Sequence, residues 1–244
     1  MGILISALGV IALIVAFMLV LTPLVDAHRR LVLRRALPDV CSIFEAAGID
    51  YWCDFGTLLG YYREGDIIRG DKDVDLSALI TEKPKVMALA DVFRSRGYML
   101  TDRGGGARKL LRIYDVRTHF YVDVYPYLTD GDMLRSVIAP TEDLPARLVA
   151  DRVGAPFLGA TLRVPENVPA LLTYRYGPGF MQPRRGDKGT ARPYSRIRSV
   201  LEDLQDNCLG VAALLRAGYY RLTSGKSRVD LYGIPKNARG DRAD

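Results

Sequence analysis

Cysteine, histidine and tryptophan are scarce in this chain of 244 residues, which has three cysteines, two histidines and one tryptophan. The cysteine count is odd, and no two cysteines stand at the spacing of a metal-binding pair. The histidines, His28 and His119, lie far apart and form no zinc motif. These shortages favour cysteines that are small core residues in a reducing compartment, and they give no sign of a zinc site.

Dense basic runs interleaved with aromatic residues, the pattern typical of nucleic-acid binding, are also missing. The formal net charge is nevertheless +6, and much of the excess lies in His28–Arg35 and Arg184–Arg198. The run Gly104–Gly106 lacks the Gly-Lys-Ser/Thr of a Walker loop and is typical of a flexible turn. We therefore expect no nucleic-acid partner. The basic excess is suited to an anionic membrane surface or a phosphorylated substrate.

Charged side chains are absent from Gly2 to Val25. At about 1.5 Å per residue, a helix of this length crosses a hydrocarbon core of about 30 Å. A cleaved signal peptide would begin with basic residues and have a shorter apolar core, and a buried helix of a soluble protein would show a polar stripe. The pattern favours a single transmembrane anchor over residues 1–27 against these two alternatives.

The segment 28–48 combines basic and apolar residues and predicts an amphipathic juxtamembrane helix that packs on the domain, with a kink or a new helix start at Pro38. Its arginines are Arg29, Arg30, Arg34 and Arg35. By the positive-inside rule they predict a single-pass membrane protein whose carboxyl-terminal domain is cytoplasmic, and they would also suit anionic head groups.

Residues 49–232 alternate between helical and extended patterns, which predicts one α/β (α+β) domain with a small mixed sheet flanked by helices. With 49% hydrophobic and 25% charged residues, the chain suits one globular domain with an appendage. Within it, Arg184–Tyr194 is predicted to be a basic loop, either a lid or a linker, and Ser195–Leu222 a helix. The tail 233–244 is polar and is expected to be disordered.

Three aspartates stand at alternate positions, Asp71, Asp73 and Asp75, and the last two open a strand pattern. The period of two puts Asp73 and Asp75 on one face of that strand. Two neighbouring carboxylates repel each other unless a cation lies between them, and Mg²⁺ (or Mn²⁺) prefers carboxylate oxygens and substrate phosphates. The pattern predicts a metal-dependent phosphoryl or nucleotidyl transfer site, with a solvated acidic turn as the alternative.

A second strand pattern supplies a further carboxylate. Lys109–Tyr114 and His119–Tyr125 predict a β-hairpin. Asp123 lies in the middle of an aromatic and β-branched strand, where an aspartate is costly unless it is paired or bound to a cation. Asp123 is therefore the natural third carboxylate. The alternative is a strand aspartate that is hydrogen-bonded to its neighbours.

Phosphate-binding candidates precede the acidic cluster. Gly56 and Thr57 stand where a short strand gives way to a helix pattern, and glycine at a helix start lets backbone N–H groups approach an anion. Arg63 follows, and a guanidinium matches phosphate oxygens or braces a carboxylate such as Asp71. An ordinary helix cap and a surface arginine are the alternatives.

Gly56–Leu76, GTLLGYYREGDIIRGDKDVDL, resembles the signature of the LicD/fukutin-type phosphotransferases, a branch of the polymerase-β-like nucleotidyltransferase superfamily. The segment Val122–Pro126 resembles the second acidic segment of that family, and Tyr174–Pro183 resembles its third. The sequence departs from the family at Gly70, where tryptophan is usual, and at Lys72, where aspartate is common. Both departures leave the Asp-x-Asp pair intact.

The resemblance implies a nucleotidyltransferase-like fold and assigns roles to the candidates. The catalytic residues and ligands of Mg²⁺ (or Mn²⁺) would be Asp73, Asp75 and Asp123. The substrate-binding residues would be Gly56, Thr57, Arg63, Asp71 and Arg175. Asp123 or Asp71 would accept the proton of the acceptor hydroxyl.

The implied reaction moves phosphocholine or a polyol phosphate from a CDP-linked donor to the hydroxyl of a glycan or lipid-linked glycan. One alternative keeps the site and transfers the nucleotide itself to an acceptor. Another is a catalytically silent scaffold tethered to the membrane. The fukutin side of the family works in the secretory lumen, so a lumenal domain is the alternative topology.

Overall fold

The computed structural model describes the backbone of residues 2–102 and 110–183, and the side chains from residue 24 onward within these ranges. The predicted basic loop Arg184–Tyr194, the predicted helix Ser195–Leu222 and the predicted tail 233–244 lie outside the described residues. So do the side chains of residues 1–23, which make up most of the predicted anchor.

A mixed sheet forms the centre of the described chain. Its main path has the order β1-β2-β5-β4-β3; β6 pairs with β5, and β7 with β6. The strands are β1 (Tyr51–Cys53), β2 (Val74–Leu79), β3 (Tyr98–Asp102), β4 (Leu111–Asp115), β5 (Tyr121–Asp130), β6 (Met133–Ser136) and β7 (Leu144–Pro145). The β2–β5 pair is parallel and the other pairs are antiparallel. A separate hairpin joins β8 (Arg152–Phe157) to β9 (Ala160–Pro165).

Helices complete the architecture. They are α1 (Gly2–Ala46), α2 (Phe55–Glu64), α3 (Lys83–Ala88), α4 (Ala90–Ser95) and α5 (Val168–Tyr176). The predicted α/β (α+β) class with a small mixed sheet is confirmed, and so is the predicted hairpin, which is the β4–β5 pair. The helices α3 and α4 follow each other closely and are separated at Leu89.

One hydrophobic core joins the sheet to the second half of α1. Leu33, Leu37, Val40 and Phe44 are fully buried in the same cluster as the strand residues Leu76 and Val122. The other face of the sheet carries Trp52, Ser77 and Asp75, because side chains alternate along a strand. The core therefore lies on the α1 face, and the polar residues collect on the opposite face.

The helix α1 runs through Pro38 without interruption, so no new helix begins there. Among residues 24–102 and 110–183, whose side chains the structure describes, no helix combines the length and the apolar character that a membrane crossing requires. The arginines that were expected to suit head groups pair with aspartates of the protein: Arg30 and Arg34 with Asp66, and Arg35 with Asp115.

Candidate active site

The start of α2 is held against the end of β2. Asp54 is the N-cap residue of α2, and its side chain accepts a hydrogen bond from the Phe55 N–H. The Thr57 hydroxyl oxygen accepts a hydrogen bond from the Asp75 N–H at 2.7 Å, and the Asp54 N–H donates to the Asp75 carbonyl at 3.2 Å. The helix start and the predicted metal-binding strand are thereby fixed to each other through the backbone of Asp75.

Phe55, the first residue of α2, has φ 45°, which is uncommon for a residue other than glycine. Such a backbone costs about 1–3 kcal/mol and persists only where its surroundings hold it in place. Here the Asp54 cap holds its N–H, and the Arg175 guanidinium lies over its ring, 3.9 Å from the centroid. This strained residue therefore belongs to a tightly constrained turn directly before Gly56 and Thr57.

Gly56 lies directly against the carboxylate of Asp71. A Cβ atom on Gly56 would lie 2.6 Å from Oδ2 of Asp71, well inside van der Waals contact. The structure thus brings Gly56 and Asp71, two of the predicted substrate-binding residues, into direct contact. A side chain at position 56 would require the Asp71 carboxylate to move.

The predicted carboxylates meet on one face of the sheet. Asp75 of β2 is in register with Asp123 of the neighbouring parallel strand β5. Asp123 is in turn in register with Arg112 of β4. The row Asp75–Asp123–Arg112 therefore crosses three adjacent strands, as the alternation of the sequence predicted for the two aspartates.

Several negatively charged carboxylates surround the buried side chain of Asp75. Burial raises the pKa of the Asp75 carboxyl well above its usual range, and the neighbouring carboxylates of Asp73, Asp71, Asp123 and Asp54 raise it further. Burial and Asp75 also raise the pKa values of the Tyr125 and Tyr176 phenols. Such crowding of negative charge is relieved by a proton or a cation, so the chemistry around Asp73 and Asp75 fits a hard divalent ion.

A buried arginine neutralises Asp123. The Arg112 Nε donates to Oδ1 and Nη2 donates to Oδ2, each at 2.5 Å, and the two side chains are 3% and 1% exposed. The guanidinium also lies over the Tyr121 ring, 3.5 Å from its centroid. Throughout residues 24–102 and 110–183, no three His, Cys, Asp or Glu side chains are grouped as ligands of one metal ion. An ion held by Asp73 and Asp75, with Asp123 as a third ligand, therefore stays a prediction.

Arg175 was predicted to bind a phosphate, but in the structure it pairs with protein groups. Its Nε donates to Oδ1 of Asp54 at 2.6 Å, and its Nη2 donates to Oδ2 at 2.5 Å and to the Tyr127 hydroxyl at 3.0 Å. Both members of the ion pair are buried, with side chains 2% and 0% exposed. The structure therefore gives Arg175 an internal partner that the sequence did not suggest, and its contact with a phosphate stays a prediction.

Arg63 lies on α2 with most of its side chain buried. Its Nη1 donates to the Phe180 carbonyl at 3.4 Å, and its Nη2 donates to the Glu64 carboxylate at 2.9 Å. These contacts connect α2 to the segment that follows α5. The predicted roles of Arg63, phosphate binding or bracing of Asp71, stay predictions.

Two residues of the site, Asp54 and Arg112, were not predicted from the sequence. Asp54 had a local signal, because an aspartate directly before a helix pattern is a preferred N-cap residue. Arg112 stands at an alternate position of a strand pattern whose partner strand carries Asp123, and a cross-strand pairing would have suggested the ion pair. The Asp54–Arg175 contact spans 121 residues, and no local pattern predicts it.

A mixed sheet, aspartates on one of its faces and a capped helix start beside them are the features that the resemblance to nucleotidyltransferases implied. Residues 48–167 match the family model described as LicD/FKTN/FKRP, nucleotidyltransferase domain. Over these residues the chain matches the LicD/fukutin-type family, which confirms the resemblance seen in its motifs.

Curated relatives include proteins named ribitol 5-phosphate transferase FKRP from Mus musculus and from Homo sapiens. Each is 31% identical over 160 residues, which are 62% of this chain and 32% of the relative. The chain therefore spans about a third of the length of these relatives.

Solved structures show a weaker likeness. The lincosamide antibiotic adenylyltransferase LnuA, bound to lincomycin, has a TM-score of 0.41 and 16% identity, over 59% of this chain and 85% of that one. ANT(2")-Ia in complex with adenylyl-2"-tobramycin has a TM-score of 0.41 and 15% identity, over 76% of this chain and 95% of that one.

Proposed function

We propose that this protein is a membrane-anchored phosphotransferase of the LicD type. It moves a phospho-alcohol group, phosphocholine or a polyol phosphate, from a CDP-activated donor to a hydroxyl of a cell-surface glycan or lipid-linked glycan precursor. The family and the named transferase relatives indicate a phosphotransferase enzyme. The relatives' name supports ribitol phosphate as one candidate group. The anchor is residues 1–27, and by the positive-inside rule the domain faces the cytoplasm.

The observation that carries the proposal is the crowding of carboxylates beside the start of α2. Asp71, Asp73 and Asp123 all raise the pKa of Asp75, next to a helix start that is fixed to the Asp75 backbone. A helix start favours negative charge, whereas the carboxylates repel it. The two features are compatible with a phosphate only if a cation lies between the carboxylates and the phosphate.

Asp73 and Asp75 would hold Mg²⁺ or Mn²⁺. When bound, the ion supplies charge neutralisation at the pyrophosphate and at the attacked phosphorus. The backbone at Gly56 and Thr57 orients the donor phosphates, with Arg63 beside them. Asp71 or Asp123 would accept the proton of the acceptor hydroxyl.

The proposal is tested with the full chain, Mg²⁺, and CDP-ribitol, CDP-glycerol or CDP-choline in the presence of glycan acceptors. We expect release of CMP, and at least about a 100-fold loss of rate in Asp73→Asn and Asp75→Asn, because metal stabilisation is worth several kcal/mol. Asp91→Asn is the matched control, since Asp91 lies on α4 with its side chain 87% exposed.

Three outcomes separate the alternatives. Release of CMP that depends on Asp75 supports the proposal. Release of pyrophosphate from nucleoside triphosphates would instead show nucleotidyl transfer by the same site. If neither CMP nor pyrophosphate is released and Asp75→Asn has a wild-type phenotype, the result would favour a membrane-tethered scaffold.

A further inference from the structure

A buried polar cluster lies directly behind the start of α2, and its centre is Asp54. This side chain is fully buried. It accepts hydrogen bonds from Trp52 Nε1 of β1 at 3.1 Å and from the Ser77 hydroxyl of β2 at 2.9 Å. It also accepts from the Phe55 N–H of α2 and from both Nε and Nη2 of Arg175 on α5. Four elements of the fold are therefore joined through one carboxylate.

The first turn of α2 connects the contacts of Asp54 to those of Asp71 and Asp75. The Leu58 N–H donates to the Asp54 carbonyl at 3.1 Å, which closes the first turn of α2. Inside that turn, the Thr57 hydroxyl accepts a hydrogen bond from the Asp75 N–H, and Gly56 lies against Asp71. A shift of the helix start therefore moves both contacts to the acidic residues.

The charge of the cluster explains why both partners are needed. A buried carboxylate is costly unless it is paired and hydrogen-bonded, and the bidentate geometry of Arg175 fits it well. Arg175 in turn stacks on the strained Phe55 and donates to the Tyr127 hydroxyl, so its guanidinium is fixed from several sides. Loss of either charge leaves the other buried and uncompensated.

We infer that Arg175 and Asp54 act on the reaction as a pair of positioning residues: the ion pair fixes the first turn of α2, and through it Gly56 and Thr57, against Asp71 and Asp75. Arg175 then acts through Asp54 rather than by contact with a phosphate. The inference rests on the proposed function, since it deepens the account of the same site.

A double-mutant cycle with Asp54→Asn, Arg175→Gln and the double variant tests this in the full chain. Residues that act as one unit have strongly non-additive effects. We expect each single variant to lower kcat/KM for the CDP-linked donor about 10- to 100-fold. The double variant should be no worse than the poorer single one. If the two losses multiply in the double variant, Arg175 contributes independently of Asp54, and the inference is wrong.

Amide hydrogen exchange gives a readout that does not depend on turnover. We expect faster exchange at the Leu58 and Asp75 amides in Arg175→Gln than in the wild type. Arg163→Gln is the matched control: Arg163 makes a bidentate pair with Glu45, at 2.7 and 2.9 Å, that joins β9 to α1. Exchange at Leu58 and Asp75 should not change in this control.

The two readouts also separate failure of the inference from failure of the proposed function. A wild-type chain that releases no CMP contradicts the proposed function, while exchange still shows whether the ion pair fixes the helix start. Unchanged exchange at Leu58 and Asp75 in a folded Arg175→Gln variant overturns the inference even if the enzyme is active.

Discussion

Asp123 lies beside Asp75 as predicted, but it also forms an ion pair with Arg112 that was not predicted. Alternation gives the face of the strand on which Asp123 lies, and the family resemblance implied its place beside Asp75. Its bidentate pair with Arg112 depends on the register of the β4–β5 hairpin, which alternation alone does not give. The position of the carboxylate was therefore predicted, whereas its ion pair required the hairpin register as well.

The Arg112–Asp123 pair gives a prediction for stability. Arg112→Gln should lower the free energy of unfolding by about 3–5 kcal/mol, because it leaves the Asp123 carboxylate buried without its counterion. Asp123→Asn in the same chain should recover much of this loss. Urea denaturation measures both effects.

The matched control for this pair is Arg94→Gln. Arg94 pairs with Asp91 on the surface, where the two side chains are 77% and 87% exposed. Such a pair contributes about 0–1 kcal/mol. If Arg112→Gln is as mild as this control, or if Asp123→Asn recovers nothing, the uncompensated charge is not the cause of the loss.

At the scale of elements, the contact between α1 and the loop before Asp71 was unexpected. The spacing of apolar residues predicted a helix that packs on the domain, and the core shows that packing. The arginines of the same helix were assigned to the membrane because their sequence position follows an apolar run. In the folded chain Arg30 and Arg34 reach Asp66, which is more than thirty positions away, and hold the loop that leads to Asp71.

This contact predicts a pH dependence. The hydrogen bond from Arg34 lowers the pKa of Asp66, although burial opposes it. A carboxylate with a lowered folded-state pKa contributes stability above its unfolded pKa, about 3.9, and loses it as the pH falls through the folded value. Asp66→Asn should therefore be less stable than the wild type at pH 7, and the difference should shrink below about pH 4.

Unfolding by urea at a series of pH values measures this difference. Asp91→Asn serves as the control, because its exposed pair with Arg94 contributes only about 0–1 kcal/mol. A difference between Asp66→Asn and wild type that is constant from pH 7 to pH 3 would show that the carboxylate charge is not what holds the loop.

For the whole molecule, binding of the proposed donor should be visible as thermal stabilisation. A ligand at about 100 times its Kd adds about 2.7 kcal/mol, which raises the Tm of a domain of this size by roughly 5–10 °C. We expect CDP with Mg²⁺ to raise the Tm of the full chain, and EDTA to reverse the shift, because Asp73 and Asp75 repel the phosphates without the cation.

Asp75→Asn should lose most of this stabilisation, and Asp91→Asn should keep it. Mg²⁺ without nucleotide separates the contribution of the ion from that of the nucleotide. A shift of equal size in the presence of EDTA would contradict a cation between the carboxylates and the phosphates.

The burial of the second half of α1 decides where the chain can be cut. A fragment that starts at residue 49, where the catalytic domain was predicted to begin, omits Leu33, Leu37, Val40 and Phe44, all of which are fully buried. In such a fragment the apolar face of the sheet that α1 covers would be exposed to solvent, so the fragment would be prone to aggregate. A fragment that omits the apolar amino terminus should keep every residue from Leu33 onward, and preferably also the helical turn of α1 that precedes Leu33.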